Sequence, residues 1–127
     1  MRSLQVRTVI RRRAGGRASG TDLSTWSHHT GSRTTVRVVG EVDLLTAPVL
    51  QEALDSARRR LRASGAQPEL LVDLREVSFL GAAGLSVLAV VQLRCVTDGT
   101  TMRVVGDQPA VRRPMELAGL RQLLAAR

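Results

Sequence analysis

Residues 81–84 read Gly-Ala-Ala-Gly and directly follow an apolar segment that ends at Leu80. Backbone N–H groups at the start of a helix favour an anion, so a segment of this kind can hold a phosphate group. Ala82 and Ala83 carry no hydroxyl, and the chain contains no lysine. The segment can therefore bind an anion, but its side chains cannot accept a phosphate or act as a nucleophile.

Other side chains capable of chemistry are few. His28 and His29 are neighbours in a predicted loop, and the sequence places no further metal ligands around them. Cys95 is the only cysteine, so no internal disulfide can form, and we expect it to be buried in a helix. The chain shows neither a supported Ser/His/Asp set nor a phosphate-binding loop ending in Gly-Lys-Ser/Thr. We therefore predict a protein that is not an enzyme and has no cofactor and no metal.

Three motifs follow one another along the chain. Residues 36–50 contain Gly-Glu-Val-Asp and, three residues further on, Thr-Ala-Pro. Residues 73–85 contain Asp-Leu, then Val-Ser-Phe-Leu, and end in Gly-Leu, while residues 109–113 read Pro-Ala-Val-Arg-Arg. In this order and at this spacing, the motifs resemble those of the STAS-domain family of anti-sigma factor antagonists. The resemblance extends over residues 34–124.

The resemblance is broken at the residues that carry the family's switch. The family pattern there is Asp-Ser-Ser-Gly-Leu, and a partner kinase phosphorylates the first serine. Here Gly81 stands at the aspartate position, Ala82 and Ala83 stand at the serine positions, and Gly84 and Leu85 are kept. A phosphate adds roughly two negative charges and can break a docked interface. Ala82 is thus the equivalent of the phosphosite, and the resemblance implies a chain that stays in the unphosphorylated, partner-binding form.

The resemblance also implies a docking surface and a partner. The surface combines the loop at 43–46 with the helix start at 81–85, and its residues are Asp43, Leu44, Thr46, Gly81, Ala83, Gly84 and Leu85. The implied partner is an anti-sigma factor of the serine-kinase, histidine-kinase-like ATPase type, whose capture releases a sigma factor for transcription. Asp43 has two interpretations: it faces basic residues of the partner, or it orders its own loop.

Composition and charge indicate a basic N-terminal tail followed by one domain. The chain has 127 residues, of which 43% are hydrophobic and 24% charged, as in an ordinary globular domain. Residues 1–20 contain six arginines and no acid, so we predict a disordered basic tail over 1–20 and a STAS domain over 21–127. The remaining charges nearly balance, which gives no reason to expect nucleic acid as a direct partner. No segment resembles a membrane span or a signal peptide, which predicts a cytoplasmic protein with no membrane partner.

Hydrophobic periodicity predicts the elements that position these residues. Strands are predicted at 22–27 (as an edge strand), 35–40, 70–74 and 102–105, with helices after Thr46, over 84–97 and after Gln108. Thr46 and Asp107 or Gln108 are the predicted helix caps, and Pro114 is predicted to kink the last helix. In the first helix, Asp55 and Arg59 are spaced to form an ion pair on the solvent side.

This order of elements predicts an α/β fold. Right-handed crossovers place the connecting helices against the sheet. We therefore expect a single STAS-like domain with a small mixed β-sheet of about four strands and crossover helices packed largely on one side. Besides the anti-sigma factor antagonist, two functions stay open: an accessory subunit of a lipid or anion transport system, and a degenerate paralogue that does not switch.

Overall fold

A mixed β-sheet forms the frame of the computed structural model, which describes residues 3–14, 17–62 and 67–125. Its five strands lie side by side in chain order: β1 (Ser3–Ala14), β2 (Arg17–Thr30), β3 (Arg33–Val42), β4 (Glu69–Leu80) and β5 (Thr101–Val105). β1, β2 and β3 pair antiparallel, whereas β3, β4 and β5 pair parallel. The parallel pairs are joined by helices, because parallel strands need a long crossover connection.

The described residues also form three helices, α1 (Ala47–Leu61), α2 (Ala82–Asp98) and α3 (Pro109–Leu117), followed by a short 3-10 turn at Arg121–Leu123. Along β3, Thr34, Val36 and Val38 are buried, whereas Arg33 and Arg37 on the opposite face are exposed. This alternation shows that the helices cover one face of the sheet and leave the other open. The predicted α/β fold with helices on one side is confirmed. Within the described residues, no helix combines the length and apolar character needed to cross a membrane.

The core between sheet and helices is aliphatic. Leu50, Leu54, Ala57 and Leu61 of α1 are buried at the predicted helical spacing. They belong to one core cluster with strand residues that are completely buried, namely Val36, Val38, Leu70, Val72, Leu74 and Val104. Cys95 of α2 is also completely buried, as predicted, and this burial raises the pKa of its thiol to about 11. The thiol therefore serves as packing.

The N-terminal segment differs from the prediction. Residues 3–14 and 17–20 were expected in a disordered tail, but they form β1 and the start of β2, with Ile10 opposite Leu23 and Thr8 opposite Thr25. The segment is rich in arginine, but it also contains the strand-forming residues Val6, Thr8, Val9 and Ile10. As a result the sheet has one strand more than the four predicted, and β2 lies inside the sheet instead of at its edge.

The loop predicted around His28 and His29 is also wrong. Both histidines belong to β2, and the turn is confined to residues 31–32.

A buried ion-pair cluster joins α1 to α2. The Asp55 carboxylate accepts hydrogen bonds from Arg58, at 3.3 Å, and from Arg94 of α2, at 2.6 Å. Arg58 also donates to Asp98 at the end of α2, at 2.5 Å. The predicted pairing of Asp55 with Arg59 on the solvent side is therefore wrong. Asp55 is buried, and Arg59 instead lies 3.5 Å from Glu52.

Candidate functional site: a groove beside the start of α2

The loop between β3 and α1 folds around the Asp43 carboxylate. Its Oδ1 accepts hydrogen bonds from the backbone N–H groups of Leu45, at 2.9 Å, and Thr46, at 3.0 Å. The Asp43 carbonyl accepts a further bond from the N–H of Ala47, the first residue of α1. Of the two interpretations of Asp43, the structure supports the one in which this side chain orders its own loop.

Thr46 fixes the same loop from inside. Its side chain is completely buried. The hydroxyl accepts a hydrogen bond from the N–H of Asp43, at 3.0 Å, and donates one to the carbonyl of Glu41, at 2.7 Å. Thr46 holds the N-cap position of α1, as predicted, but its hydroxyl makes no capping bond to the helix. The loop that results turns Leu44 outward, with 79% of its surface exposed.

The start of α2 lies directly beside this loop. Gly81 occupies the N-cap position, and its N–H donates to the carbonyl of Val42 at 2.9 Å. Its own carbonyl accepts the first helical bond, from the N–H of Leu85, at 3.1 Å. One hydrogen bond therefore joins the end of β3 to the start of α2. The structure thus brings the two segments of the predicted docking surface together.

Gly84 permits the start of α2 to lie close to the ends of β3 and β4. A Cβ atom at position 84 would lie 2.5 Å from Val42 Cγ1 and 2.7 Å from Leu80 Cδ1, well inside van der Waals contact. Gly84 is buried, and Leu85 packs partly buried against the core. These two positions therefore hold α2 in place, and the positions open to a partner are the exposed Ala82 and the half-buried Ala83.

A shallow groove runs between the loop, α1 and α2. It has a volume of about 300 Å³ and is lined by Leu44, Ala47, Pro48, Gln51, Ala83, Ser86, Val87 and Val90. None of these side chains is charged, so the groove offers apolar contact and a few hydrogen bonds to whatever lies in it. Of the residues predicted for the docking surface, Leu44 and Ala83 line the groove. Asp43 and Thr46 hold the loop that carries Leu44, and Gly84 lets α2 pack closely against Val42 and Leu80.

Sequence reasoning missed Pro48, Gln51 and Val90 as members of this surface. It also missed Phe79, which is 50% exposed at the end of β4. α2 is apolar on nearly every side, so periodicity did not indicate that Val90 faces outward, with 39% of its surface exposed. For Pro48 and Gln51, the one available signal was their position on the first turns of α1, next to the motif loop.

The remaining chemistry-bearing residues lie elsewhere. His29 Nδ1 is 2.6 Å from Thr34 Oγ1, and His28 Nε2 is 2.9 Å from Thr30 Oγ1, so both rings have hydrogen-bond partners on β2 and β3. Among the described residues, no group of three or more His, Cys, Asp or Glu side chains is placed to hold a metal ion. The residues of the predicted docking surface therefore remain the candidates for a functional site beside the start of α2.

Comparison with known proteins identifies relatives of the chain. Residues 27–125 match the family model described as "Mlab, STAS domain". The anti-sigma-F factor antagonist RsfB of Mycobacterium tuberculosis is 35% identical over 81 residues, which make up 64% of this chain and 62% of that protein. A putative anti-anti-sigma factor of the same organism is 29% identical over 94 residues, or 74% of this chain and 62% of that protein. The chain thus spans 62% of the length of both curated relatives.

Solved structures agree with this relationship. An anti-sigma factor antagonist from Mycobacterium paratuberculosis superposes with a TM-score of 0.70 at 31% identity, covering 84% of this chain and 86% of the other. The unphosphorylated form of the anti-sigma factor antagonist SpoIIAA superposes with a TM-score of 0.61 at 18% identity, covering 80% of this chain and 85% of the other. At this identity, the match shows a similar fold and nothing more. The family model covers most of the chain, and a solved anti-sigma factor antagonist that is 31% identical shares its fold. The chain therefore belongs to the STAS-domain family of anti-sigma factor antagonists.

Proposed function

We propose that this chain acts in the cytoplasm, without catalysis, by binding an anti-sigma factor and so releasing a sigma factor for transcription. The observation that carries the proposal is the groove beside the start of α2, with Leu44 exposed at its edge. An uncharged groove rimmed by an exposed aliphatic side chain is typical of the centre of a protein interface. The similarity to RsfB, an anti-sigma-F factor antagonist, supports this partner class.

The proposal includes an anti-sigma factor of the serine-kinase type and the loss of the phosphate switch. The motifs of the family align its phosphorylated serine with Ala82. This residue is exposed on the first turn of α2, where a kinase could reach it. Because alanine has no hydroxyl, a kinase bound at this position has nothing to phosphorylate. The complex should therefore persist when ATP is present.

The docking surface is tested by measuring affinity for purified serine-kinase anti-sigma factors from the source organism. We expect Leu44→Glu to weaken binding at least about tenfold, because it places a charge on the apolar surface that the partner covers. Leu117→Glu is the matched control, since Leu117 is 90% exposed on α3 and lies outside the groove. If both variants bind as the unaltered chain does, the groove is not the docking surface.

The lost switch is tested by adding ATP to the captured kinase. We expect no phosphorylation and no release with the unaltered chain. With Ala82→Ser we expect phosphate on residue 82, seen by mass spectrometry, and release of the complex. Ala83→Ser controls for the position of the hydroxyl. Adding Gly81→Asp to Ala82→Ser restores the full family pattern, although its Cβ would lie 2.9 Å from Phe79 Cε2, so that ring must move.

Failure of binding would favour one of the two other functions. If no serine-kinase anti-sigma factor binds either the unaltered chain or Ala82→Ser, the sigma-factor role is wrong. Capture of transport components would then indicate an accessory subunit. If neither kind of partner is captured, the chain is a folded paralogue without a switch.

A further inference from the structure

A second cavity lies beyond the last paired residues of β4 and β5. The pairing of these strands ends at Asp73 and Val105, and β5 continues into the loop that leads to α3. The cavity has a volume of about 420 Å³ and is lined by Arg75, Val105, Gly106, Asp107, Arg112, Leu124 and Ala125. It shares no lining residue with the docking groove. Its volume is in the range of pockets that hold small organic molecules.

The cavity combines positive charge with apolar surface. Arg75 comes from β4 and Arg112 from α3, so two separate elements bring guanidinium groups to one space. Asp107 is the one acid among the lining residues that the structure describes. Arg75 is held by Asp73 through two hydrogen bonds, of 3.0 and 2.8 Å, which fix its direction. Arg112 forms no ion pair within the part of the chain that the structure describes, so it is available to a ligand.

The backbone around the cavity is fixed before any ligand enters. The Gln108 side-chain amide donates to the carbonyls of Leu74, at 2.8 Å, and Val77, at 2.9 Å, which ties the loop to β4. Gln108 was predicted as a possible helix cap, and it holds the N-cap position of α3, but its side chain makes this cross-link instead. On the other side, the N–H of Ala125 donates to the carbonyl of Val104 at 2.7 Å. The floor and one wall of the cavity are therefore preformed.

We propose that this cavity is a binding site for a small organic anion. The acidic group of the ligand contacts Arg112 and Arg75, and its apolar body lies against Leu124. Guanidinium groups match both carboxylate and phosphate groups in geometry, because their N–H donors form a planar fork. The apolar side chains Val105, Leu124 and Ala125 favour a ligand with a hydrocarbon portion over a bare inorganic ion. This proposal does not depend on the anti-sigma factor role.

The test is a titration of the isotope-labelled full chain, followed by the amide signals of Gly106, Asp107 and Arg112. The probes are phenyl phosphate and benzoate, which share an aromatic body and differ in the acidic group, and benzyl alcohol, which carries no charge. We expect saturable shifts with at least one of the two anions and none with benzyl alcohol. Arg112→Gln should weaken binding roughly tenfold, as expected for loss of one charge-assisted hydrogen bond.

Arg113→Gln is the matched control, because Arg113 is the next residue of α3, is also exposed, and does not line the cavity. It should leave the affinity unchanged. Equal weakening by both variants would overturn the proposal, since it would indicate attraction by the general positive charge of α3. The proposal also fails if neither anion gives saturable shifts at these amides, or if benzyl alcohol binds as well as the anions do.

Discussion

At the loop between β3 and α1, the hydroxyl of Thr46 holds the conformation that exposes Leu44. It satisfies the N–H of Asp43 and the carbonyl of Glu41, and Thr46 itself is completely buried. Thr46→Val keeps the shape of the side chain but leaves both backbone groups without this partner. We expect the free energy of unfolding to fall by about 1–3 kcal/mol, measured by urea denaturation. Affinity for the partner should fall as well, since Leu44 loses its fixed position.

Thr101→Val is the matched control for this substitution. Thr101 is exposed at the start of β5, and a surface change of this kind usually alters stability by less than about 0.5 kcal/mol. Equal stability of the two variants would contradict the role assigned to the Thr46 hydroxyl.

Individual site residues were predictable only where they lie within one of the sequence motifs. The pattern at 40–47 indicated that Asp43 and Thr46 belong to a functional loop. Whether Asp43 faces a partner or its own backbone depends on loop geometry, which short motifs do not specify. Phe79 and Val90 were missed for a different reason. They are apolar residues in apolar segments, and which of them stay exposed depends on how the helices pack over the sheet.

At the scale of elements, α1 and α2 are held together by the cluster around Asp55. Only 10% of the Asp55 side chain and 13% of the Arg58 side chain are exposed. Each charge is therefore shielded from water and is stabilised by the opposite charge beside it. Asp55→Asn leaves Arg58 and Arg94 without the negative charge that they surround. Breaking a buried pair in this way costs about 3–5 kcal/mol, and we expect the lower end, because the Arg94 side chain is 43% exposed. Urea denaturation measures the loss.

The pair of Glu52 and Arg59 on the same helix provides the control. Both side chains are more than half exposed, and such surface pairs contribute about 0–1 kcal/mol. Glu52→Gln should therefore leave the urea midpoint nearly unchanged. Added salt should not reproduce the effect of Asp55→Asn, since salt screens exposed pairs much more than buried ones. A small effect of Asp55→Asn, similar to that of Glu52→Gln, would show that the ion-pair cluster around Asp55 contributes little to stability.

The elements themselves were largely predictable, and their mutual contacts were not. The buried face of α1 follows from the spacing of Leu50, Leu54, Ala57 and Leu61, because helical period alone decides which residues share a face. Asp55 lies between these positions, and its spacing to Arg59 suggested an exposed local pair. Its actual partner Arg94 is distant in the sequence, and no local rule connects them. Pro114 was expected to kink α3, and the helix continues through it to Leu117.

On the scale of the whole molecule, the open face of the sheet carries ion pairs that make stability depend on pH. Hydrogen bonds from Arg75 lower the pKa of Asp73, and a hydrogen bond from Arg37 lowers the pKa of Glu76. A carboxyl group with a lowered pKa stabilises the folded state above its unfolded-state pKa. That stabilisation is lost as the pH falls through the folded-state pKa. We therefore expect the urea midpoint to fall as the pH drops from about 5 to about 3.

The contribution of Asp73 is isolated by Asp73→Asn. This variant should be less stable than the unaltered chain at neutral pH and should show a flatter decline below about pH 5, so that the two curves converge in acid. Glu116→Gln, which removes an exposed acid from α3, should decline as the unaltered chain does. Parallel curves for Asp73→Asn and the unaltered chain would contradict this assignment.

The N-terminal strand is where the whole-molecule prediction from sequence went wrong. The disordered tail was inferred from charge and composition, which are averages over a segment, whereas a strand depends on which residues alternate and on what lies beside them. β2 offers such a neighbour: its Leu23 and Thr25 are only 0% and 2% exposed while they stand opposite Ile10 and Thr8. The sequence of β1 alone contains no information on this neighbour.

The pairing of β1 with β2 is tested by shortening the chain to residues 21–127. Removing β1 turns β2 into an edge strand and leaves its outward N–H and carbonyl groups unpaired. We expect alternate amides between Leu23 and Thr30 to exchange hydrogen as rapidly as those of a frayed segment, and the urea midpoint to fall. Arg12→Gln in the full chain controls for charge, because it removes a positive charge and keeps the backbone groups. If the shortened chain keeps the protection and the midpoint of the full chain, β1 does not contribute to the fold, and residues 21–127 alone form the stable domain.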